Sequence, residues 1–288
     1  AVKAGLLKFP AANYTGRLKT LPLGLPEGSY AGMPELPQLL TKPSVKNLLP
    51  KRPKDGHKGS YGSALLIAGS RRYTGAAMLA GQACLHSGVG LCYMAVPASL
   101  HTALAASMPE AIWELLPEAV DGTISKSAHG CIPSPLDKKT AWLLGPGLGI
   151  NAETQGFVKG LFLESLTEPA ALPPLVVDAD GLKLLAELEN WPALLPPSSV
   201  LTPHPGEMTA LCGLSINQVQ AEREALAVEY AQKWNLTLVL KGAFTVVASA
   251  NGREHILPFA SSALAHGGSG DVLAGLIYGL LAQGLEAF

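Results

Sequence analysis

The sequence predicts one α/β domain in which helices cover both faces of a mostly parallel sheet. From Ser60 onward, short continuous apolar runs alternate with stretches of helical periodicity. Strands that are buried on both faces have this continuous apolar composition, because helices lie above and below them. Several of the runs end in glycine or proline, which is where a chain turns.

Each predicted element follows from its own local pattern. Strands are short apolar runs bounded by turn residues, and helices repeat apolar positions every three or four residues. The predicted strands lie in 63–70, 91–97, 141–147, 175–181, 237–242, 244–249 and 254–259, and one more ends in a turn within 199–207. The predicted helices lie in 74–90, 182–190 and 216–234, and the last begins near Gly270 or Asp271. Asn251 and Gly252 predict a hairpin turn.

Composition and charge exclude several classes of protein. The formal net charge is −1 and no basic cluster exceeds the short Pro50–Lys54, which argues against nucleic acid or an anionic membrane as partner. No apolar run reaches the roughly 18 residues of a membrane span. The cysteines are Cys84, Cys92, Cys131 and Cys212, without a CxxC pair, so we expect buried free thiols and a cytoplasmic protein. Charged residues make up only 15%, which suits a large buried area or a homo-oligomer.

Residues 1–43 differ from the rest of the chain. They are rich in proline and glycine and have little periodicity, so we interpret them as a linker or as the tail of a preceding domain. The α/β domain is expected to span 44–288. The chain starts without methionine and its last helix has no stop signal, which suggests a piece of a longer protein.

The stretch His266–Leu276, HGGSGDVLAGL, places three glycines directly before a predicted helix. Glycines allow backbone N–H groups to converge on one point, and the positive end of a helix favours an anion there. Asp271 would lie beside that anion as a base that takes a proton from a hydroxyl. The alternative is that Asp271 only caps the helix. The candidate anion hole consists of Gly267, Gly268, Ser269 and Gly270.

Two further stretches follow predicted strands, at the edge where open α/β sheets bind ligands. Gly145–Gly149, GPGLG, is either part of a ligand site or a plain tight turn. Asp178 and Asp180 supply carboxylates that could hold Mg²⁺, although Asp180 is more simply explained as a helix start.

His204 and Lys241 complete the candidates. His204 lies between two prolines that restrict its backbone, which favours a ligand contact. Glu207 falls in the first turn of a helix, where a negative charge is favourable in any case. Lys241–Thr245, KGAFT, combines a lysine, a glycine turn and a hydroxyl, which suits a phosphate or a nucleotide; a lysine in such a turn is more often only solvated.

Several common catalytic motifs are missing from the sequence. It contains no HExxH, GxSxG or GxxxxGK[ST], so it does not support a zinc protease, an α/β-hydrolase or a P-loop protein. The first strand–helix unit lacks GxGxxG, which weakens the interpretation as a Rossmann dehydrogenase.

Seven segments, in this order, resemble the ribokinase-like superfamily and, within it, the NAD(P)H-hydrate dehydratase family. They are HKGSYGSALLIAGS, YTGAAMLAG, GPGLG, DADG, TPHPGE, KGAFT and GGSGDVLAGLIYGLLAQG. The resemblance covers 44–288 and implies a ribokinase-like three-layer fold. It also implies that ADP or ATP, with Mg²⁺, drives the removal of water from hydrated NADH or NADPH (NADHX or NADPHX). The family's bacterial members typically use ADP, and this sequence is similar to theirs, so the resemblance favours ADP as the co-substrate.

The resemblance also implies roles for individual residues. Asp271 would be the catalytic base that deprotonates the ring hydroxyl, which then attacks the terminal phosphoryl group. The hydrated dinucleotide would contact Ala76 or Ala77, Gly147, His204 and Asp271. The adenine nucleotide would contact Lys241, Gly242, Ala243, Phe244, Thr245 and Gly270.

Two departures from the family pattern and two rival functions complete the interpretation of the sequence. Ser261 and Ser262 stand where the family often has Asn-Pro, so no contact is carried over there, and the family's further C-terminal helices are missing. The first thirty or so residues look like the tail of an NAD(P)H-hydrate epimerase domain, and the family often forms tetramers or larger assemblies. The rivals are a hydroxymethylpyrimidine or hydroxyethylthiazole kinase of the same fold and a catalytically silent nucleotide-binding module.

Overall fold

A computed structural model describes residues 2–16, 18, 19, 21, 24, 26, 29, 37–132, 140–166, 168, 169, 172–196 and 198–288. The strands are β1 (Gln38–Leu39), β2 (Ser63–Ile67), β3 (Leu91–Pro97), β4 (Ile112–Leu116), β5 (Ala141–Leu144), β6 (Leu175–Val177), β7 (Val200–Leu201), β8 (Thr237–Leu240), β9 (Val246–Ala248) and β10 (Glu254–Ile256). The α-helices are α1 (Lys42–Leu48), α2 (Thr74–Ser87), α3 (His101–Ala105), α4 (Ala152–Gly160), α5 (Asp180–Ala186), α6 (Pro205–Cys212), α7 (Ile216–Ala221), α8 (Arg223–Trp234) and α9 (Ser269–Ala282).

The described strands form one sheet in the order β1-β10-β9-β8-β7-β6-β5-β2-β3-β4. Every pairing in it is parallel except the two that β9 makes with β8 and β10. The predicted hairpin turn between β9 and β10 is confirmed, with the Gly252 N–H donating to the Ser249 carbonyl. Because β2 and β5 to β8 all run the same way, their carboxyl ends share one edge of the sheet.

Alternate side chains of each central strand point to opposite cores. Leu65 and Ile67 of β2 lie in a core with α4 to α8, whereas Ala64 and Leu66 lie in a second core with α2, α3 and α9. Strands buried on both faces have no room for polar residues, which explains their continuous apolar runs. The predicted three-layer α/β fold with a mostly parallel sheet is confirmed.

Helices α2 and α9 pack closely because glycines face the contact. A methyl group at Gly275 or Gly279 of α9 would overlap atoms of α2, including the carbonyl oxygen of Ala80 and the hydroxyl of Ser87. Gly268, directly before α9, has a φ of 91° and lies against the Leu79 side chain. This packing sets the N-terminus of α9 beside the first turns of α2.

The structure contains helices outside the predicted ones, among them α1 and α3, and it differs from the predicted elements in three further respects. The predicted helix 216–234 is two helices, separated at Glu222, whose φ of −124° and ψ of 35° are not helical. Strand β4 has no counterpart among the predicted elements; it lies at the sheet edge, where Ile112 and Leu115 are exposed, so it lacks the continuous burial that marks the other strands. Residues 38 and 39, within the predicted linker, form β1.

The cysteines are free, as predicted, but they are not uniformly buried. Cys84 and Cys92 are buried, Cys212 is half-buried and Cys131 is exposed. The expectation of burial is therefore wrong for Cys131, which lies at the end of a surface 3₁₀ turn. In the part of the chain that the structure describes, no helix has the length and apolarity needed to cross a membrane.

Candidate functional site

Three polar side chains from separate elements meet at the carboxyl edge of the sheet. Lys241, directly after β8, has its Nζ 2.6 Å from Oδ1 of Asp178 and 3.6 Å from Oε2 of Glu207. Asp178 follows β6 and Glu207 lies in the first turn of α6; both carboxylates are almost fully buried. Buried charges must be paired to be tolerated, and here one lysine serves two carboxylates.

The N-terminus of α9 lies next to this charged group. A methyl group built at Gly270 would lie 3.5 Å from Nζ of Lys241 and 3.8 Å from Oδ2 of Asp178. The first helical hydrogen bond runs from the Val272 N–H to the Gly268 carbonyl, at 3.1 Å. Among the described residues no side chain caps this helix, so the N–H groups of residues 269–271 remain available to an anion.

Asp271 is not the cap of α9, the alternative explanation for this aspartate. It is the third residue of the helix, and Gly268 occupies the cap position. Burial raises the pKa of Asp271 to about 6, and the negative charge of Asp178 adds to this effect. Asp180 and Glu207 act in the same direction, whereas the Lys241 charge opposes them. A carboxylate with a pKa close to neutral is better matched to the work of a general base than an ordinary aspartate.

His204 has a structural role that the sequence did not reveal. Its Nδ1 accepts hydrogen bonds from the N–H groups of Gly206 and Glu207, at 3.0 and 3.2 Å, while Glu207 accepts from the His204 N–H at 2.8 Å. This reciprocal arrangement caps α6. The imidazole nevertheless remains 52% exposed, with Nε2 at 3.2 Å from Glu207, so its outer edge is accessible to a ligand.

The GPGLG loop lies against the start of α2. Gly147 has a φ of 64°, and a methyl group there would lie 2.8 Å from the β-carbons of both Ala76 and Tyr73. The Ser70 hydroxyl donates to the Gly147 carbonyl at 2.8 Å, and Asp180 accepts from the Gly149 N–H at 2.9 Å. The shape of the loop is therefore fixed by the side chains of a buried serine and a half-buried aspartate.

Ala76 and Ala77 differ in their access to this loop. Ala76 is half-buried beside Gly147, whereas Ala77 has no exposed surface and packs against Gly69. Of these two residues, only Ala76 therefore has surface that a ligand could touch. Asp180, the first residue of α5, is a helix start as expected, and it also anchors the loop.

The loop 241–245 is held in an unusual backbone shape. Gly242 has a φ of 146° and Phe244 a φ of 54°. Arg223, which sequence reasoning missed, donates from Nη2 to the carbonyl oxygens of Leu240 and Lys241, at 2.9 and 3.2 Å. The Thr245 hydroxyl donates to the Gly242 carbonyl at 2.9 Å, whereas Ala243 is exposed. No local pattern indicates the role of Arg223, because its partners lie 17 and 18 residues further along the chain.

Within the described residues, no group of three or more His, Cys, Asp or Glu side chains forms a ready metal centre. Asp178 is engaged by Lys241, and Asp180 by the Gly149 N–H. Mg²⁺ often binds through one or two carboxylates, with substrate phosphates and water completing its shell. The residues present fit a magnesium ion that arrives with a nucleotide.

Comparison with known proteins agrees with this geometry. The sequence model of the NAD(P)H-hydrate dehydratase family matches residues 64–288. The chain belongs to this family. The resemblance carried by the seven segments is thus confirmed.

Relatives of this NAD(P)H-hydrate dehydratase family member include the bifunctional NAD(P)H-hydrate repair enzymes Nnr of Moorella thermoacetica and Thermofilum pendens. They are 39% and 37% identical over 99% and 98% of this chain. The chain spans about half the length of these curated relatives, 52% in both cases.

Among solved structures, the chain is similar to the ADP/ATP-dependent NAD(P)H-hydrate dehydratase from Bacillus subtilis co-crystallised with ATP and Mg²⁺. The TM-score is 0.70 at 33% identity, with 85% of this chain and 81% of the other covered. A ribokinase-like superfamily protein from Enterococcus faecalis gives a TM-score of 0.68 at 27% identity, with 85% and 80% covered.

Proposed function

We propose that this chain is an NAD(P)H-hydrate dehydratase that uses ADP or ATP to convert hydrated NADH or NADPH back to NADH or NADPH. The family membership and the names of the similar proteins support this activity. The observation that carries the proposal is the position of Asp271, a base with a pKa of about 6 at the uncapped N-terminus of α9.

In the proposed reaction, the Asp271 carboxylate takes the proton of the hydroxyl on the hydrated nicotinamide ring. The ring oxygen then attacks the terminal phosphoryl group of the nucleotide and releases AMP from ADP, or ADP from ATP. The electrons of the ring nitrogen expel the oxygen as inorganic phosphate, and loss of a neighbouring ring proton restores the double bond. The N–H groups of residues 269–271 stabilise the negative charge on the transferred phosphoryl group.

The remaining site residues are assigned to the two substrates. The nucleotide lies against Gly270 and the loop 241–245, where Lys241 offers a cation and Ala243 an exposed backbone. The hydrated dinucleotide lies against Ala76, Gly147 and His204, and its hydroxyl reaches Asp271. This division agrees with the loop 145–149, which is anchored against the start of α2, and with the position of Lys241 beside Gly270.

Mg²⁺ would bind to this site together with the nucleotide. Asp178, through the oxygen that faces Gly270, and Glu207 would hold it directly or through water. When bound, the ion would neutralise charge on the phosphates. Lys241, with its Nζ 2.6 Å from Asp178 and 3.6 Å from Glu207, would hold both carboxylates in place.

A larger parent protein is also part of the proposal. The relatives named bifunctional match this chain over about half of their length, which supports a parent that also carries an epimerase half. In that parent, residues 1–43 would lie before the dehydratase domain of 44–288. We also expect a cytoplasmic homo-oligomer, and light scattering during gel filtration would give the number of subunits.

Product analysis tests the reaction. Hydrated NADPH, Mg²⁺ and ADP or ATP are incubated with the protein, and inorganic phosphate is quantified against NADPH formed. We expect one phosphate for each NADPH. A stable phosphorylated product without NADPH would instead show a small-molecule kinase, and nucleotide binding without any product would show a silent binding module.

A further inference from the structure

Lys8 and Phe9, far from the site in sequence, contact helix α8 and the loop 241–245. The Leu7 side chain is buried, with 5% of its surface exposed. Lys8 has its Nζ 2.6 Å from Oε2 of Glu224 in α8. The ring of Phe9 is 5.9 Å from the ring of Phe244, centroid to centroid, and tilted by 47°. Lys8 and Phe9 thus make an ionic and an aromatic contact with the domain, directly after the buried Leu7.

Lys8 places a positive charge beside two carboxylates of the domain, those of Glu224 and Glu254. Glu254 of β10 is half-buried, and its Oε1 has no hydrogen-bond partner among the described residues. Burial and the negative charge of Glu224 raise the pKa of Glu254, and Lys8 acts in the opposite direction. Two carboxylates from different elements therefore lie near each other, and the cation beside them comes from the N-terminal segment.

The Phe9 contact falls on a strained residue of the nucleotide loop. Phe244 adopts a left-handed φ of 54°, which a non-glycine residue takes only when its surroundings hold it there. Its N–H donates to the Phe259 carbonyl at 3.3 Å, and the Phe9 ring contacts its side chain. Phe9 and Phe259 both lie outside the loop, so contacts from outside the loop help to fix its shape.

We propose that Lys8 and Phe9 are positioning residues for the adenine nucleotide: they hold the loop 241–245 in its binding shape from outside the loop. This inference rests on the proposed function, because that function places the nucleotide at this loop. It assigns to the segment before the domain a part in nucleotide affinity and none in binding the hydrated dinucleotide. A segment with only a stabilising role would change thermal stability without separating the two substrates.

The first test compares Phe9→Ala with the wild type in the full chain. We expect the KM for ADP or ATP to rise by about 3- to 10-fold, the range that one aromatic contact supports, with the KM for hydrated dinucleotide unchanged. Phe9→Tyr keeps the ring and should restore the wild-type value. Tyr14→Ala is the matched control, because Tyr14 belongs to the same segment and is 86% exposed.

A second test asks whether the effect passes through Phe244. Glycine tolerates a positive φ, so Phe244→Gly removes both the ring and the strain that Phe9 offsets. In that background Phe9→Ala should have no further effect on nucleotide affinity. The exchange Lys8→Glu with Glu224→Lys should recover most of the affinity that Lys8→Glu alone loses, because the ion pair is rebuilt in reverse.

Direct titration with the fluorescent methylanthraniloyl derivatives of ADP and of ATP, each used as a probe, separates this inference from the proposed function. If the wild type turns over substrate and Phe9→Ala binds the probe equally well, the positioning role is wrong and the proposed function stands. Probe binding that weakens in Phe9→Ala without turnover in the wild type supports the positioning role and contradicts the dehydratase. No probe binding by the folded wild type overturns both.

Discussion

Lys241 and Asp178 form a buried ion pair, with Nζ 2.6 Å from Oδ1, directly beneath the first turn of α9. The pair connects the end of β8 with the end of β6, and Glu207 joins it from α6. Its two charges act on Asp271 in opposite directions: Asp178 raises the pKa of this base and Lys241 lowers it. Burial is the main cause of the raised pKa of Asp271, and the charges that adjust it belong to residues that do not lie on its own helix.

The pH dependence of turnover should reflect the raised pKa of Asp271. Asp271 works as a base only when ionised, so kcat should rise with pH through about 6, the raised pKa of its carboxyl. Asp178→Asn removes a negative charge that raises this pKa, so the acid limb should move to lower pH. Glu110→Gln, an exposed carboxylate at the opposite side of the sheet beside β4, is the control. A limb that does not move in Asp178→Asn would show that another group controls the profile.

Asp271→Asn should make the folded protein more stable at neutral pH. The pKa of Asp271 is raised from 3.8 to about 6, so its ionised form is disfavoured by folding, and stability falls as pH rises through this window. Replacing the carboxylate by an amide removes this penalty. After allowance for partial exposure, we expect a gain of about 1–2 kcal/mol at pH 7.5, seen as a Tm increase of roughly 2–5 °C.

The same comparison at about pH 3, below both the ordinary pKa of 3.8 and the raised value of about 6, serves as its control, because both the folded and the unfolded protein then carry a largely protonated Asp271. The gain should shrink toward zero there. A Tm that falls in Asp271→Asn at pH 7.5 would show that the carboxylate stabilises the fold, which contradicts a pKa raised by burial.

Gly270→Ala should separate the anion-binding role of the loop from its structural role. The added methyl group would lie 3.5 Å from Lys241 and 3.8 Å from Asp178, which is ordinary contact, so the fold should accept it. It would, however, occupy the space between the helix N-terminus and the charged group. We expect an unchanged or slightly higher Tm, since alanine favours a helix, and a nucleotide affinity at least ~10-fold lower.

Gly130→Ala, at an exposed position with open space around it, is the control for Gly270→Ala and should change neither quantity. Normal nucleotide affinity in Gly270→Ala would place the phosphates elsewhere. A collapse of thermal stability would instead assign a structural reason to this glycine.

Gly147→Ala should weaken the binding of the hydrated dinucleotide more than that of the nucleotide. Alanine there would need a φ of 64° and would press on Ala76 and Tyr73 at 2.8 Å, displacing the loop against α2. We expect a loss of about 1–3 kcal/mol in stability and a higher KM for the dinucleotide. Gly213→Ala is matched in φ, at 75°, but has open space, so it carries the backbone penalty without the crowding. Equal effects of the two variants on KM would exclude a specific role for Gly147.

The fold was largely readable from the sequence because its central strands are buried on both faces. The continuous run in β2, residues 63–67, and the periodic pattern of α9 each reflect a buried environment directly. Strand β4 was not predicted because it lies at the sheet edge, where exposed and half-buried residues interrupt the continuous apolar run that marks a buried strand. The break at Glu222 was not predicted because the apolar periodicity of α7 continues into α8 without interruption.

The sequence predicted the individual residues of the candidate site, but it did not predict which of them form ion pairs with each other. Asp271, Lys241 and Asp178 each stand at the end or start of a predicted element, so their edge of the sheet followed from topology. That Lys241 would pair with both Asp178 and Glu207 depends on three side chains spread over more than sixty positions. Neither the cap that His204 makes on α6 nor the support of the loop by Arg223 has a signature in local sequence.

The absorbance of the reduced nicotinamide ring gives the most direct test of the proposed dehydratase activity. Hydrated NADPH, Mg²⁺ and either ADP or ATP are mixed with the wild type and, separately, with Asp271→Asn. We predict recovery of the absorbance with at least one nucleotide in the wild type, and a rate reduced by about 10²–10⁴-fold in a variant that still binds nucleotide. Equal rates in the two proteins, or no recovery by a folded wild type that binds nucleotide, would contradict the proposed role of Asp271 and the activity built on it.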